Sequence, residues 1–584
     1  MGVDTGGTFT DLVTPDGRVA KVLSTPVDPG EGVRDGLGAL GAGRPALLAH
    51  GTTVATNALL ERRGARVALV ATRGFADVIE IARQDRPSLY DGTVDRPPPL
   101  VPRAWRHEVG GRLAADGAEL EPLDVASVPE IDPEVEAVAV CLLHSDLDPS
   151  HERAVVAALE QRGHDVSCSS EVSPEFREYE RTVTTVLNAY LRPRCRAYVR
   201  GLTRSAEQVL VMTSAGGLLP AGAAADLPVA LLLSGPAGGV RAGAAVAAAC
   251  GFSDAVTFDM GGTSTDVCLV LGGLPEPAAG RTAAGYPVRL PSLDVHTIGA
   301  GGGSIAGIDP GGALVVGPAS AGADPGPACY GRGGTRPTVT DADLVLGRIA
   351  ADAALPGLGR LDRAAAEAAL AGAGVDAGGV VAVVDAAMER AVRTVTVERG
   401  VDPRGLALVA FGGAGPLHAC ALADALDMSA VVVPPRAGVL SAVGLLCSPV
   451  QRDVVRSWAS PGDLTGLEEA LAELAASAGP GEVVTSVDCR YEGQSHELTV
   501  ATVDAFPQEH RRRNGYVRDA AVEVVALRAR STTAAPLDVA HLPPPPARGA
   551  VVGPAVVAEE DCTIWVPDGW RAEPGPLGAL VVRR

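Results

Sequence analysis

Apolar runs interrupted by one repeated polar turn set the rhythm of the chain. Ala255 to Phe258 and Val267 to Leu271 are apolar stretches of strand length, and the polar string DMGGTSTD, Asp259 to Asp266, lies between them. Short apolar runs on either side of a Gly-Gly turn read as two strands joined by a tight hairpin. Near the start, DTGGTFTD runs from Asp4 to Asp11 with six of the eight positions identical. Leu12-Val13, a Pro15-Asp16-Gly17 turn and Val19 to Leu23 follow it, predicting an antiparallel meander. A dinucleotide-binding glycine loop would lead from a strand into a helix. The strand-like run after Asp266 argues against one.

Elsewhere the pattern alternates between strand and helix and predicts an α/β fold. His50 to Gly64 reads as a Gly-Thr-Thr turn opening a helix, followed by a strand from Arg66 to Ala71. Pro97 to Pro99 forms a stiff surface loop. A helix from about Arg177 to Leu191 is expected to end at Pro193. The strand Ala407 to Ala410 runs into FGGAGP, Phe411 to Pro416, where the proline suits the first position of a helix reaching Leu426. Pro543 to Pro546 makes a rigid connector before a β-like stretch from Ala550 to Arg583. With 584 residues, about three or four domains are expected. The divisions are placed at 1–165, 166–450 and 451–584.

Composition narrows the chemistry. The net charge of −21 repels a phosphate backbone, so nucleic acid is a poor partner. No run of 18 or more apolar residues is free of interruption, and no charged segment followed by an apolar stretch opens the chain. Neither a membrane span nor a signal peptide is therefore expected, and the protein reads as cytoplasmic. The ten cysteines are scattered without CxxC or Cys/His spacing, which suits small buried side chains better than metal ligands. Lys21 is the only lysine and lies in no GxxxxGK[ST] context, so a P-loop is excluded. It is also a poorly placed candidate for a Schiff base.

The duplicated hairpin carries the chemistry. An Asp at a strand end beside Gly-Gly-Thr can hold hydrated Mg²⁺ against phosphate oxygens while backbone N–H groups and hydroxyls grip the phosphates. Asp4 and Asp259 are the candidate catalytic and metal-binding residues. The phosphate grip falls to Gly6, Gly7, Thr8, Thr10 and Asp11 in the first copy, and to Gly261, Gly262, Thr263, Ser264 and Asp266 in the second. Asp266 could instead brace its own turn. Glycines also cluster in SGPAGG (Ser234 to Gly239), GAGGGS (Gly299 to Ser304) and FGGAGP, and in a chain with 71 glycines any one cluster is weak evidence. FGGAGP, through Gly412, Gly413 and Gly415, has the form of a nucleotide-closing turn.

The two hairpins and the later Gly-Gly turn resemble the phosphate and adenosine elements of the actin, Hsp70 and sugar kinase superfamily. More specifically, the chain resembles the A subunit of the hydantoinase/oxoprolinase family. HGTTVATNALLER from His50, TRGFADVIEIARQDRPSLYD from Thr72, SPEFREYERTVTTVLNAYLRP from Ser173, TIGAGGGSIA from Thr297, SAGADPGPACYGRGG from Ser320, PTVTDADLVLG from Pro337, AFGGAGPLHA from Ala410 and RYEGQSHEL from Arg490 carry the resemblance, which covers essentially the whole length. It departs from the family at Ala215, where an Asn is usual, and at its start, where only Met1, Gly2 and Val3 precede Asp4 and the first strand is expected to be short.

The resemblance implies duplicated ribonuclease H-like lobes with a nucleotide cleft between them and a C-terminal α+β domain. It implies an ATP- and Mg²⁺-dependent hydrolase of a small cyclic amide such as a hydantoin, 5-oxoproline or a lactam, working with a B-type subunit. The ATP-binding subunit of an acetone- or acetophenone-type ketone carboxylase is the alternative. A nucleotide-dependent scaffold or regulator is disfavoured, since no helix-turn-helix or apolar peptide groove is legible.

Other polar residues have plainer readings. His50, His144 and His151 lack metal spacing and read as capped loop histidines. Of Asp341 and Asp343, one is expected to cap the following helix, and the other is left open between capping and acid/base work. The Arg177 to Arg181 run is expected to pair along its own helix face.

Overall fold

The computed structural model describes every residue except Thr8, Pro26, Val27, Ala279, Ala351, Ala353, Pro356, Gly357, Leu358, Pro545, Pro546 and Ala547. Its first sheet is built around the expected meander of β1 (Gly2–Thr5), β2 (Phe9–Val13) and β3 (Val19–Leu23). Asp4 stands opposite Asp11, and Asp11 opposite Lys21. On the other side of β1 run the parallel strands β4 (Leu47–Thr52) and β5 (Gln208–Met212), followed by antiparallel β6 (Leu218–Pro220).

The second sheet repeats this plan. β7 (Ala255–Met260) pairs antiparallel with β8 (Thr265–Leu271), which pairs antiparallel with β9 (Leu274–Pro275). Parallel β10 (Ala407–Phe411) and β11 (Ala430–Val433) lie on the far side of β7. The orders β3-β2-β1-β4-β5 and β9-β8-β7-β10-β11 therefore match in sequence and in direction. β10 and β11 are buried throughout, as central parallel strands covered on both faces should be.

Strand pairing crosses both boundaries expected at 165 and 450. Residues of β5 and of the long helix before it share one core with β1 and β4. At the other end, Leu580–Arg583, Arg571–Pro574 and Val551–Val552 extend the second sheet beyond β11. Gln451–Ser457, Val522–Thr532, Glu482–Tyr491 and Leu498–Val500 form a separate four-stranded sheet with its own core. A parallel sheet of Val166–Cys168, Ala137–Cys141, Val67–Thr72 and Arg106–Val109 flanks the first lobe. The proline connector before the last strands falls partly outside the described residues.

Six helices bear on the site: α1 (Glu178–Leu202), α2 (Gly235–Ala249), α3 (Val339–Val345), α4 (Ala377–Val395), α5 (Gly415–Leu426) and α6 (Leu440–Leu446). α1 does not stop at Pro193. Cys195, Val199 and Leu202 beyond it are buried in the first core, and that packing outweighs the roughly 3 kcal/mol cost of an internal proline. Nor does the Arg177 run pair along its own helix. Buried Arg181 meets Asp146, Arg177 reaches Glu497 at 2.6 Å, and Glu180 takes Arg83.

Helix α6 wedges between the sheets. A methyl on Gly444 would lie 1.8 Å from Gly238 O in α2, and one on Gly2 would lie 2.1 Å from Ala442 O. The SGPAGG glycines Gly238 and Gly239 thus serve a close helix crossing, Gly239 also meeting the Phe411 ring. Among the described residues no single helix is long and apolar enough to cross a membrane.

Candidate functional site

Each hairpin turn closes in the same way. Gly6 N–H donates to Phe9 O at 3.0 Å, and Gly261 N–H donates to Ser264 O at 3.1 Å. Gly7, Gly262 and Thr263 are exposed at the tips, and Ser264 is half-buried. Thr8 lies outside the described residues. Thr10 does not face the turn: its buried hydroxyl bonds to Ser24 Oγ at 3.1 Å. The matching Thr265 hydroxyl donates to Ala300 O at 2.6 Å.

The four aspartates form one electrostatic cluster. Asp4 faces Asp11 across the first hairpin, and Asp259 faces Asp266 across the second. Burial, then the charges of Asp266, Asp4 and Asp11, push Asp259 up to about 8. Burial and Asp11 push Asp4 up to about 7, against the pull of Lys21. Asp11 is also raised, burial outweighing Lys21, and burial lifts Asp266 to about 6 although Thr297 donates a hydrogen bond to it. That bond ties Asp266 to the neighbouring strand rather than to its own turn. Carboxylates from both lobes thus crowd one region with a single lysine beside them, and such raised values mark a place that a cation would relieve.

Glycines shape both flanks. A methyl on Gly51 would stand 2.6 Å from Asp4 Oδ1, and one on Gly412 would stand 2.3 Å from Asp259 Oδ1. Gly412 also needs its positive φ of 79°. Ala414 N–H donates to Met260 O at 3.0 Å, which ties the Gly412 to Gly415 turn to the second hairpin. Gly413 is exposed there, Gly415 is buried, and Pro416 sits in the first turn of α5, whose N-terminus has no side-chain cap.

Behind the second hairpin, the GAGGGS loop lies directly on the turn. Gly302 N–H donates to Gly261 O at 3.0 Å and Gly303 N–H to Gly262 O at 2.6 Å. Thr340, in the first turn of α3, holds the loop from the other side through Gly302 O at 2.8 Å. Asp341 completes a capping box with Thr338, the capping role expected for one of the pair. Its neighbour Asp343 instead meets buried His418 of α5, 3.3 Å from Nε2, while Nδ1 lies 2.7 Å from Asp385 of α4. Burial opposes the imidazolium, but Asp343 and Asp385 together outweigh it and hold His418 at about 10.

The three histidines weighed in the sequence have other surroundings. His50 sits in β4, not in a loop: the Gly51-Thr52 segment continues the strand because it pairs with β1, and the helix opens only at Val54. Its nitrogens lie 3.1 Å from Val3 O and 2.8 Å from Tyr198 Oη, and burial lowers it to about 4, keeping it neutral. His151 lies on a helix beside Glu119 at 2.8 Å, and His144 occupies a turn with φ 59°. Among the described residues, one further set of possible metal ligands groups together: Glu559, Asp561 and Cys562. Glu559 there is taken by Arg548, and Asp561 accepts from Gly438 N–H at 2.9 Å.

The sequence places these hairpins within a wider pattern. Residues 1–163 match the hydantoinase/oxoprolinase N-terminal region and residues 181–454 match hydantoinase/oxoprolinase. The chain belongs to the hydantoinase/oxoprolinase family. It aligns along nearly its full length with the caprolactamase subunit alpha of Pseudomonas jessenii, at 35% identity over 99% of this chain and 98% of that protein. It is 34% identical to 5-oxoprolinase 1 of Arabidopsis thaliana over 78% of this chain, which spans 42% of that longer protein. The crystal structure of ATP-dependent caprolactamase from P. jessenii shares the fold with a TM-score of 0.87 at 33% identity, covering 100% of this chain and 99% of that one. Acetone carboxylase, at 24% identity and a TM-score of 0.76, covers 100% of this chain and 99% of its own and shows the fold alone.

Three parts of this candidate site escaped the sequence reading. Lys21 looked stranded because its partner Asp11 is met across a strand pair, and Gly51 looked like a turn residue. His418 lay inside the AFGGAGPLHA string but was not weighed as a site residue. Gly412 is picked out by its FGGAGP turn, whereas Gly51 reaches Asp4 only through the parallel pairing of β1 with β4.

Proposed function

We propose that this hydantoinase/oxoprolinase chain binds ATP with Mg²⁺ between its two hairpins and phosphorylates the carbonyl oxygen of a small cyclic amide. The observation that carries the reading is the convergence of Asp4, Asp11, Asp259 and Asp266 from two matching hairpins beside one lysine. The repeated strand order supports reading each sheet as a ribonuclease H-like core of the actin, Hsp70 and sugar kinase superfamily, with the nucleotide cleft between them. Similarity to a caprolactamase subunit and to 5-oxoprolinases points to the amide substrate.

The donor set fits Mg²⁺, being all oxygen and short of counter-charge. Asp4 and Asp259 would hold it, one from each lobe. When bound, Mg²⁺ neutralises charge on the phosphoryl group in transit. The chain itself supplies the rest. The turn N–H groups of Gly7 and Gly262, left over once Gly6 and Gly261 close their turns, with the hydroxyls of Thr263 and Ser264, grip the phosphates, and the Gly412 to Gly415 turn closes on the adenosine side.

An amide carbonyl is a poor electrophile, and transfer of the terminal phosphoryl group to its oxygen, leaving ADP, activates it. Water then attacks the carbonyl carbon and the C–N bond opens, and a second water releases phosphate. We assign the hydrolytic half to a B-type partner subunit, place the complex in the cytoplasm, and foresee no nucleic acid or membrane partner. The test is calorimetry with a nonhydrolysable ATP analogue across Mg²⁺ concentrations, followed by phosphate release from the reconstituted complex with hydantoins, 5-oxoproline, lactams, and ketones plus bicarbonate. Absence of binding heat would remove the reading. Stimulation by ketones alone would replace the amide with the carboxylase alternative.

A further inference from the structure

Lys21 stands on β3 directly across from Asp11, its ammonium 2.7 Å from Asp11 Oδ1 and 3.3 Å from Gly438 O. The Phe9 ring closes a further side at 5.1 Å. Only 16% of its side chain is exposed. An ammonium has three donors, and among the described residues two have partners. The third has no protein acceptor among them, although the charge of this one lysine is felt at Asp4, Asp11, Asp259 and Asp561.

A simple counter-ion for Asp11 would need no such position. A lysine without its full set of acceptors, beside the strand ends where the phosphates would lie, is instead placed to exchange partners. We propose that Lys21 is a phosphate-binding residue of the cleft, its spare donor taking an oxygen of the terminal phosphates while Asp11 and Gly438 O fix its position. The proposal rests on the ATP-binding reading above. On it, the carboxylates attend the cation and Lys21 attends the anion, and the adenosine and α-phosphate lie beyond its reach.

Because Lys21 is the sole lysine, an amine-directed acylating ester reports on it with no competing ε-amine. The full-length native protein is labelled alone, with AMP, and with a nonhydrolysable ATP analogue plus Mg²⁺, and adducts are read by peptide mass spectrometry. Calorimetry is run on the same samples. Expected is modification of Lys21 in the free protein, little change with AMP, and at least tenfold slower modification with the triphosphate.

Lys21→Met, in parallel, is expected to weaken triphosphate binding at least tenfold and to leave AMP binding within twofold. Binding heat without protection would overturn the role of Lys21 and leave the ATP reading standing. Equal protection by AMP, or a Lys21 inert in the free protein, would also overturn it. No binding heat at all would remove both. The labelling uses unmodified protein, so the test survives a Lys21→Met variant that fails to fold.

Discussion

Gly51 lies beside Asp4 on the adjacent parallel strand, so close that a methyl group there would stand 2.6 Å from Asp4 Oδ1. In the second sheet Gly412, one residue beyond β10, keeps the same space clear beside Asp259. At these depths a parallel strand ordinarily carries a branched apolar side chain. Such a side chain would displace each carboxylate. The bare flank is thus as much a part of the site as the acid.

Gly51→Ala is expected to lower ATP turnover of the complete complex at least tenfold while costing about 1–3 kcal/mol of stability through crowding. Gly412→Ala should be worse folded, since it adds a strained φ and a contact 2.5 Å from Met260 O. Thermal melts and nucleotide titration separate the two effects. Full turnover in Gly51→Ala would show that Asp4 does not need its flank.

Asp259→Asn should change stability and activity in opposite directions. A carboxyl raised to about 8 from 3.8 binds its proton more tightly folded than unfolded, so its ionisation costs stability as pH rises across that window. The metal-free Asn variant is therefore expected to be more stable than wild type at pH 8.5, by about 1 kcal/mol or more, and similar at pH 4. Mg²⁺ should raise the wild-type melting temperature at pH 8 more than at pH 5.5. ATP turnover of the complex should fall by about 10² or more. A variant melting below wild type at pH 8.5 would contradict the crowded-carboxylate account.

How much of this was legible beforehand depended on sequence separation. The hairpins could be read because an eight-residue string holds both strand ends and the turn, and FGGAGP because strand, glycines and Pro416 are contiguous. The pairing of Leu580–Arg583 with β11 and of β5 with β4 joins segments about 150 residues apart, and no local pattern encodes it. Pro193 misled for the same reason, since the packing that carries α1 past it is tertiary. His418 and Lys21 are ordinary in sequence and acquire their roles only through partners on other elements.

His418 joins α5, which begins at the Gly412 turn, to α3, which props the GAGGGS loop on the second hairpin. Replacing it with Ala leaves Asp385 without its cation and Asp343 with only Arg348, 3.7 Å away, and loss of one member of such a buried set costs about 3–5 kcal/mol. Because the folded value, about 10, exceeds the ordinary 6.5, the stabilisation is complete below about pH 6.5 and fades as pH rises through 10. Denaturant titrations should show the gap between wild type and His418→Ala narrowing from pH 7 to pH 10.5. A gap that widens with pH would mean that the histidine is neutral.

Thr10 and Ser264 offer the sharpest separation of fold from grip. Both belong to the repeated motif, yet Thr10 is buried with its hydroxyl on Ser24, while Ser264 is half-buried at the second turn. Thr10→Val removes one hydrogen bond, and Ser24 keeps its own to Gly6 O at 2.8 Å. It should cost about 0.5–1.5 kcal/mol and leave the affinity for a nonhydrolysable ATP analogue within twofold. Ser264→Ala should do the reverse, sparing the melting temperature and weakening that affinity severalfold. Calorimetry on the two variants decides: if Thr10→Val lost affinity at an unchanged melting temperature, the threonine would have to face the phosphates, and the geometry of the first turn would differ from the one described.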